Sequence, residues 1–322
     1  MDTVIVRPGR AEDEKDIQEF TKHTFDWGDY VADAYGSWVE EMDQGLGDVY
    51  VAVCMPSGRV VGVNHARYLS PEEAWFEGIR VHADFRRAGI GRLLTVAAIE
   101  GARKRGVQVC RAAIDADNLP SQTLSRNFGF EPVVPIVQFE APLDQITWMG
   151  PIVACVSHGS DLTLRTATAG DAPAIFSAVS KEMAYVGSDY TWWRVTPQNV
   201  ARVIAQREVR LAVDAAGKVV AGAALSDPFY DKDSQHPVAY GEMSSAFGDW
   251  AGVMAIAKEY AAKASRLGAE MKASAKLCIT CEARSPITEV LPRHGFTERF
   301  LEGRRDEAWL WELLLDAEAI VK

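Results

Sequence analysis

Apolar and polar residues alternate along three early segments, 49–54, 59–68 and 74–81, and turn residues separate the first two. Alternation with a period of two is typical of half-buried β-strands, so the three segments predict an antiparallel meander. Further strands are predicted at 107–114 and 131–140. Helical spacing predicts helices over 90–104 and 121–127, the first ended by Gly106. The full order, β-α-α-β-β-β-α-β-α-β, favours a mixed sheet with helices on both faces.

Two landmarks of this pattern recur later in the chain in the same order. The string from Arg7 to Asp13 has a counterpart at 165–171, and the helix-to-strand junction at Gly129 has one at Gly295. Nearly equal offsets indicate an internal duplication, and a length of 322 residues also favours two domains. We predict an α/β chain (α+β mixed sheet) with tandem domains at 1–142 and 161–322 and a linker at 143–160.

Composition and charge disfavour several classes of protein. A hydrophobic share of 48% and a charged share of 25% are typical of globular proteins, and no stretch is apolar enough for a membrane span. We therefore predict a cytoplasmic protein with no membrane partner. The five cysteines suggest no disulfide framework, and the C-x-x-C ending on Cys281 lies in a strand-like run, which favours burial over a metal or redox role. We predict no metal site.

The distribution of charge is uneven. The net charge is −11, which disfavours nucleic acid as a partner. Residues 1–50 hold 13 acidic and 4 basic residues, a balance of −9, whereas residues 80–111 hold 8 basic and 2 acidic residues, a balance of +6. Positive charge concentrated in one window of an acidic chain predicts that an anion binds there.

The turn between strand 74–81 and helix 90–104 carries the strongest chemical signal. Gly89 and Gly91 allow the backbone to approach a ligand closely, and the free N–H groups at the start of a helix favour phosphate. Arg86, Arg87 and Arg92 add side chains that can fork onto phosphate oxygens. The turn therefore predicts a pyrophosphate site. It is neither a dinucleotide fingerprint, because Leu94 stands where the third glycine would be, nor a P-loop.

The segment 86–91 reads R-x-x-G-x-G, follows Ile79-Arg80-Val81-His82 and precedes Asn118 by 27 residues. In these motifs the sequence resembles the GNAT superfamily of acetyl-CoA-dependent N-acetyltransferases, over residues 3–141. The second half resembles the same family in outline only. There the arginines of the turn are missing and Asp249 lies where phosphate would bind, so we predict a degenerate second copy.

The resemblance implies acetyl-CoA as cosubstrate and assigns residues to its binding. Backbone groups of Ile79 and Val81 would pair with the pantetheine arm, and Asn118 and Ser121 would lie near it. The pyrophosphate would be cradled by Arg86, Arg87, Ala88, Gly89, Ile90, Gly91, Arg92 and Leu93.

The resemblance also implies catalytic roles. Glu77 occupies the position of the general base in several relatives, and the alternative for its carboxylate is an ion pair with Arg80 or Arg111. His82 points to the other strand face, where a capping role is favoured over catalysis. Ser125 stands where many relatives carry the tyrosine that protonates the thiolate, so the proton would come from Ser125, Ser121 or water.

Acidic and aromatic residues alternate in the region that usually covers the acceptor pocket in such a fold. Trp27 and Tyr30 are the predicted substrate contacts there, together with Glu77, and the mixture suits a small cationic or amino-bearing ligand. An ordinary amphipathic helix pair with a solvated acidic face explains the pattern equally well.

The predicted function is transfer of an acetyl group from acetyl-CoA to a primary amine of a small molecule or amino acid. The amine attacks directly, with general-base assistance, in a monomer or homodimer. The alternative is a non-catalytic acyl-CoA-binding regulatory protein.

Overall fold

The structure, a computed structural model, describes residues 3–22, 24, 29–148, 162–188, 191–231, 237–301, 304–305 and 307–315. The first half of the chain folds in the predicted order, and its main helix begins and ends at the predicted residues. Its elements are β1 (Thr3–Pro8), α1 (Glu14–Thr21), α2 (Val31–Asp43), β2 (Gly47–Met55), β3 (Val60–Tyr68), β4 (Glu73–Val81), α3 (Ile90–Lys104), β5 (Val109–Asp115), α4 (Leu119–Asn127) and β6 (Glu131–Pro142).

The second half repeats this alternation of strands and helices with additional short strands. Its elements are β7 (Thr163–Thr166), α5 (Ala172–Val179), β8 (Tyr185–Ser188), β9 (Thr191–Arg194), α6 (Pro197–Gln206), β10 (Glu208–Val213), β11 (Val219–Leu225), β12 (Phe229–Asp231), β13 (Val238–Gly248), α7 (Trp250–Met271), β14 (Ser274–Glu282), α8 (Ile287–Val290), β15 (Thr297–Glu298), β16 (Phe300–Leu301), β17 (Arg304–Arg305) and β18 (Glu307–Leu314).

The chain divides into two compact units that exchange strands. Unit 1 comprises Met1–Val133 and Leu310–Lys322, and unit 2 comprises Val134–Trp309. In unit 1 the strand order is β1-β2-β3-β4-β5-β18, so the last strand of the chain completes the first sheet. In unit 2, most of β6 pairs with β14 and with β15. The units therefore differ from the sequence boundaries at 142 and 161, because each includes a strand from the other half.

Helices cover both faces of the sheet in unit 1, as predicted. Alternating residues of β2 point to opposite sides: Val49, Val51 and Val53 pack under α1 and α2, whereas Ala52 and Cys54 pack under α3 with its Ile90 and Leu94. The period of two along the strand thus supplies two apolar surfaces, and each is buried by one helical layer.

The two halves share a specific local structure that supports the duplication. Arg7 donates to both carboxylate oxygens of Asp13 at 2.7 Å, and Arg165 does the same to Asp171 at 2.8 and 2.6 Å. The hydrogen bond from Arg165 holds the pKa of Asp171 well below its ordinary value. Both pairs follow the first strand of their half and sit before its first helix, at the predicted offset of 158.

Strand β4 carries the feature that shapes the candidate site. Its parallel ladder with β5 covers Glu73 to Trp75, although β4 continues to Val81 and β5 to Asp115. On its other side, the pairing with β3 shifts register opposite Asn64, where Gly78 adopts a φ of +68°. A Cβ at Gly78 would lie 2.2 Å from Cη2 of Trp38. The bulge thus requires glycine both for its conformation and for its contact with α2.

The exchanged strand β18 is joined to unit 1 by a buried charge. Arg111 on β5 is 1% exposed and donates from Nε to Glu312 at 2.8 Å and from Nη1 to Glu73 at 3.1 Å. The pair with Glu312 spans 201 residues of sequence. One guanidinium therefore ties β4, β5 and β18 together.

Replacing Arg111 tests the importance of this connection. Arg111→Leu leaves two carboxylates without their buried cation, which we expect to cost about 3–5 kcal/mol. Lys22→Ala, which breaks an exposed pair with Glu19, is the control and is expected to cost less than about 1 kcal/mol. Urea unfolding followed by tryptophan fluorescence measures both. Equal midpoints for the two variants would contradict the structural role of Arg111.

A second test concerns the bulge. Gly78→Ala combines a left-handed backbone with steric overlap on Trp38, so its cost should exceed the roughly 1–2 kcal/mol of the backbone conformation alone. Gly58 has a φ of +76° and open space around it, so Gly58→Ala reports the backbone cost by itself. We expect a clearly lower melting temperature for Gly78→Ala than for Gly58→Ala. Matching melting temperatures would show that the contact with Trp38 does not constrain β4.

Candidate active site

The turn after β4 has the conformation expected of an anion site. A short 3-10 helix, Ala83–Phe85, is capped by His82, whose Nδ1 accepts the N–H of Asp84 at 3.2 Å. The capping role predicted for His82 is confirmed. Arg87 and Gly89 then adopt φ values of +67° and +79°, which turns the chain sharply into α3. A Cβ on Gly89 would meet no atom within 4 Å, so the approach to this backbone is open.

The N-terminus of α3 presents unused donors. Gly89 is its N-cap and provides no side chain, and the N–H of Leu93 makes the first helical bond, to the carbonyl of Gly89 at 3.1 Å. The N–H groups of residues 90–92 precede that bond and so have no partner inside the helix. Arg86, Arg87 and Arg92 are exposed around them. Helix dipole, free amides and guanidinium groups thus meet at one place, as a pyrophosphate requires.

Much of the predicted positive window is neutralised elsewhere. Arg80 donates to both oxygens of Asp29, at 2.6 and 3.1 Å. Arg105 pairs with Asp48 at 2.8 Å, and Arg111 is the buried residue that holds β18. The positive charge available to an anion is therefore concentrated at Arg86, Arg87 and Arg92, while Arg103 and Lys104 lie at the opposite end of α3.

Beside this turn, β4 continues to Val81 after its ladder with β5 has ended at Trp75. A Cβ placed on Gly91 would lie 3.5 Å from Leu124 and 3.9 Å from Ile79, so α3, α4 and β4 converge there. Asn118 caps α4 by accepting the N–H of Ser121 at 3.2 Å. The structure thus brings Ile79 and Gly91 beside α4. The side-chain oxygen of Asn118 is engaged in the N-cap of α4, and its contact with a cofactor stays a prediction.

Glu77 lies immediately before the bulge and is 19% exposed. Its Oε1 is 3.0 Å from Nδ1 of His65 and 3.6 Å from Nη2 of Arg67. The suggested ion pair with Arg80 or Arg111 is wrong, because those arginines bind Asp29, Glu73 and Glu312 instead. Among the described residues, no hydrogen bond or ion pair engages Oε2 of Glu77, so one carboxylate oxygen is available to a ligand.

Three further residues, Glu41, His65 and Arg67, belong to this site and were not predicted from the sequence. Arg67 donates from Nε to Glu41 at 3.1 Å, and Nε2 of His65 lies 3.3 Å from the same carboxylate. Burial raises the pKa of Glu41, but the interactions with His65 and Arg67 outweigh it and leave that pKa lowered. Burial lowers the pKa of Arg67, but Glu77 and Glu41 outweigh it and raise that pKa.

A strand pattern contained one signal for this group. His65 and Arg67 lie on the same face of β3, which forms a hairpin with β4, and in that hairpin His65 lies directly opposite Glu77. The bulge at Gly78 shifts the register by one residue only beyond this pair. Glu41 belongs to another element and has no such signal.

The predicted acceptor contacts are only partly described. Trp27 lies outside the described residues. Tyr30 is 43% exposed, with the guanidinium of Arg80 5.6 Å from its ring centroid and the ring of Trp38 edge-on at 6.2 Å. Asp29 is buried and accepts hydrogen bonds from Arg80. Tyr35 is also buried, and its hydroxyl donates to the backbone carbonyl of Arg10. Tyr30 is thus an exposed aromatic surface near Glu77.

The predicted proton donor Ser125 is half-buried on α4. Its backbone carbonyl accepts the N–H groups of Phe128 and Phe130, at 3.0 and 3.1 Å. These bonds close the C-terminal end of the helix. The role of its hydroxyl in proton transfer stays a prediction.

The corresponding strands of unit 2 do not separate in the same way. β13 and β14 pair through seven consecutive positions, from Val238 to Ser244 on β13. Ser244 and Ser245 donate to the carbonyl of Gly187 at 2.7 and 3.0 Å, which holds hairpin β8-β9 against the strand. Asp249 caps α7 by accepting the N–H of Ala251 at 2.9 Å. These contacts support the prediction of a degenerate copy.

Within the described part of the chain, no helix combines the length and hydropathy of a membrane span, and no group of three or more His, Cys, Asp or Glu is arranged to hold a metal ion. Cys278 and Cys281 are buried in β14, and burial raises the pKa of Cys281 to about 12. Their predicted burial is confirmed.

Comparisons with known proteins also find similarity to GNAT acetyltransferases. Residues 14–130 match the family model described as the acetyltransferase (GNAT) family. A GCN5-related N-acetyltransferase from Sphaerobacter thermophilus is similar in structure, with a TM-score of 0.62, 19% identity, and coverage of 97% of this chain and 95% of the other. A tandem GNAT protein from the clavulanic acid biosynthesis pathway gives a TM-score of 0.57, 16% identity, and coverage of 97% and 98%.

A GCN5-related N-acetyltransferase from Kribbella flavida gives a TM-score of 0.54 and 15% identity, with coverage of 98% of this chain and 72% of the other. No curated protein sequence matches the chain. At these identities the solved structures show the fold alone, and over 97% of the chain that fold is shared with a tandem GNAT protein. Within it, residues 14–130 match the acetyltransferase (GNAT) family model.

Proposed function

We propose that unit 1 transfers an acetyl group from acetyl-CoA to a primary amine of a small molecule or amino acid, with Glu77 as general base. The observation that carries the proposal is the placement of Glu77. Its carboxylate lies next to the bulge of β4, where the ladder with β5 has ended, and keeps Oε2 available. A base at the point where the two strands diverge is where an acceptor amine and a thioester would meet.

The residues present fit the cosubstrate. Arg86, Arg87, Arg92 and the free amides at the start of α3 suit the pyrophosphate. The edge of β4 that no longer pairs with β5 suits an amide-containing arm. The carbonyls of Ile79 and Val81 on this strand also accept hydrogen bonds from Arg80 and Arg86. Acetyl-CoA, when bound, supplies an activated acetyl thioester. Strand amides near Ile79 are suited to hold the negative charge that develops on its carbonyl oxygen.

Glu77 removes the proton that the amine must lose. The amine nitrogen forms the new C–N bond while the C–S bond breaks, and the electron pair stays on sulfur, which takes a proton from Ser125, Ser121 or water. At pH 7, neutralising an α-amine with a pKa near 8 costs about 1–1.5 kcal/mol, whereas a lysine-like amine costs about 4–5 kcal/mol. A carboxylate is a modest base, so the α-amine class is the better match.

Glu77→Gln tests the base. We expect kcat to fall about 100-fold or more, because the amide cannot accept the proton, while the Kd for acetyl-CoA changes less than about 2-fold. Thiol release with a panel of L-amino acids, spermidine, glucosamine and a free tripeptide measures the rate, and calorimetry measures the Kd. Glu72→Gln, an exposed carboxylate just before β4, is the control. Undiminished turnover in Glu77→Gln would contradict the assignment.

Arg92→Ala tests the phosphate site. Loss of one charge-assisted hydrogen bond, worth about 1.5–3 kcal/mol, should weaken acetyl-CoA binding about 10- to 100-fold. Lys104→Ala removes the same charge from the opposite end of α3 and should leave the Kd nearly unchanged. If the two variants weaken binding equally, the net charge of the helix matters rather than a site at its N-terminus.

A further inference from the structure

An imidazole buried between two carboxylates is the unexplained polar feature of unit 1. His65 on β3 is 0% exposed. Its Nδ1 lies 3.0 Å from Oε1 of Glu77 on β4, and its Nε2 lies 3.3 Å from Oε2 of Glu41 on α2. Both polar atoms of the ring therefore face carboxylate oxygens, and the ring connects a helix to the strand that carries the proposed base.

The ring of His65 is closely packed on one face and at its Nε2 edge. The indole of Trp38 stacks on it, with ring centroids 4.6 Å apart and an interplanar angle of 15°. Gly47 on β2 is so close that an added Cβ would lie 2.9 Å from Nε2. Packing thus restrains the plane of the ring, and the contact of Nδ1 with Oε1 of Glu77 sets the orientation of the ring within that plane.

Arg67 completes the connection on the outer side. It donates from Nε to Oε2 of Glu41 at 3.1 Å, its Nη2 lies 3.1 Å from Oε1 of the same carboxylate, and that Nη2 is 3.6 Å from Glu77. Glu41 is thus held in a forked pair. It is therefore a fixed negative charge 3.3 Å from Nε2 of His65, in ionic contact with the ring but outside hydrogen-bond geometry.

Packing alone does not call for this arrangement. A buried ion-paired network is often no more stabilising than apolar side chains of the same volume, and each added polar group raises the cost of an imperfect partner. The core on this face of the sheet otherwise consists of residues such as Val49, Val51 and Val63. A histidine that points at Glu77 therefore suggests a task in orienting that carboxylate.

We propose that His65 is a positioning residue for the acetyl transfer: held by the stacked indole of Trp38 and by the charge of Glu41 beside Nε2, it holds Oε1 of Glu77 through Nδ1 and so leaves Oε2 to the acceptor amine. This inference rests on the proposed function of Glu77. A misplacement of about 1 Å in a reacting group can cost about 100-fold in rate. His65 touches neither reactant and acts through Glu77.

Two substitutions separate the two ends of the imidazole. In His65→Asn the side-chain amide lies where Nδ1 was and can still donate to Glu77, whereas in His65→Gln the longer amide reaches the position of Nε2 and can donate to Glu41. We expect His65→Asn to retain kcat within about 5-fold and His65→Gln to lose about 10- to 100-fold. The KM for acetyl-CoA should stay unchanged in both.

Variants on α2 keep the test decisive if a change at the buried position unfolds the protein. Glu41→Gln removes the negative charge beside Nε2 of His65 from a half-buried site and should lower kcat about 3- to 10-fold, in the same direction as His65→Gln. Glu40→Gln removes the same charge from the preceding, exposed position of the helix and should leave kcat unchanged. Melting temperatures and the Kd for acetyl-CoA verify that each variant is folded.

The acceptors are those named for Glu77→Gln, and rates come from thiol release. If wild type transfers acetyl groups and Glu77→Gln does not, yet His65→Asn, His65→Gln and Glu41→Gln all match wild type, the positioning role is overturned and the base assignment survives. If His65→Gln is as active as His65→Asn, contact with Glu77 is not what matters and the proposal also fails. If wild type and Glu77→Gln are equally inactive on every amine, the proposed function itself is wrong.

Discussion

Strands β4 and β5 pair over three residues and then part, and the candidate site depends on that separation. Parallel strands that leave their ladder expose backbone donors and acceptors that need another partner. The bulge at Gly78 follows the end of that ladder along β4, and Trp38 packs against the glycine. The same indole stacks on His65, which contacts Glu77. The residue that packs against the bulge therefore also restrains the neighbour of the proposed base.

Unit 2 has a bulge at the corresponding point of β13, where Ser245 adopts a φ of +51° and the pairing with β11 shifts register, but its surroundings differ. Its parallel strands remain paired four positions longer, a hairpin is hydrogen-bonded to the strand through Gly187, and its long helix is capped by its own aspartate. These contacts are internal to unit 2. Backbone groups that have partners within the protein are not available to a ligand, which supports the prediction of a degenerate copy.

The sequence predicted the local elements well and the long-range partners poorly. Helix α3 was predicted to the residue because apolar spacing, a left-handed Gly89 and a terminal Gly106 act within a few positions. The capping role of His82 was equally local. The partners of Arg80 and Arg111 were wrong or missing because they lie 51 and 201 residues away. His65 was not predicted because its contacts with Glu77 and Glu41 form only when β3 and β4 are in register and α2 packs against them.

The exchange of strands has a consequence for the order in which the protein is made. β5 pairs with β18, which is synthesised about 200 residues later and carries Glu312, the partner of the buried guanidinium of Arg111. At about 5–20 residues per second, that interval is roughly 10–40 s. During this interval, the edge of β5 has no β18 to pair with, and Arg111 lacks its contact with Glu312. The unit with the arginine-glycine turn is therefore the first to begin folding on the ribosome and the last to be finished.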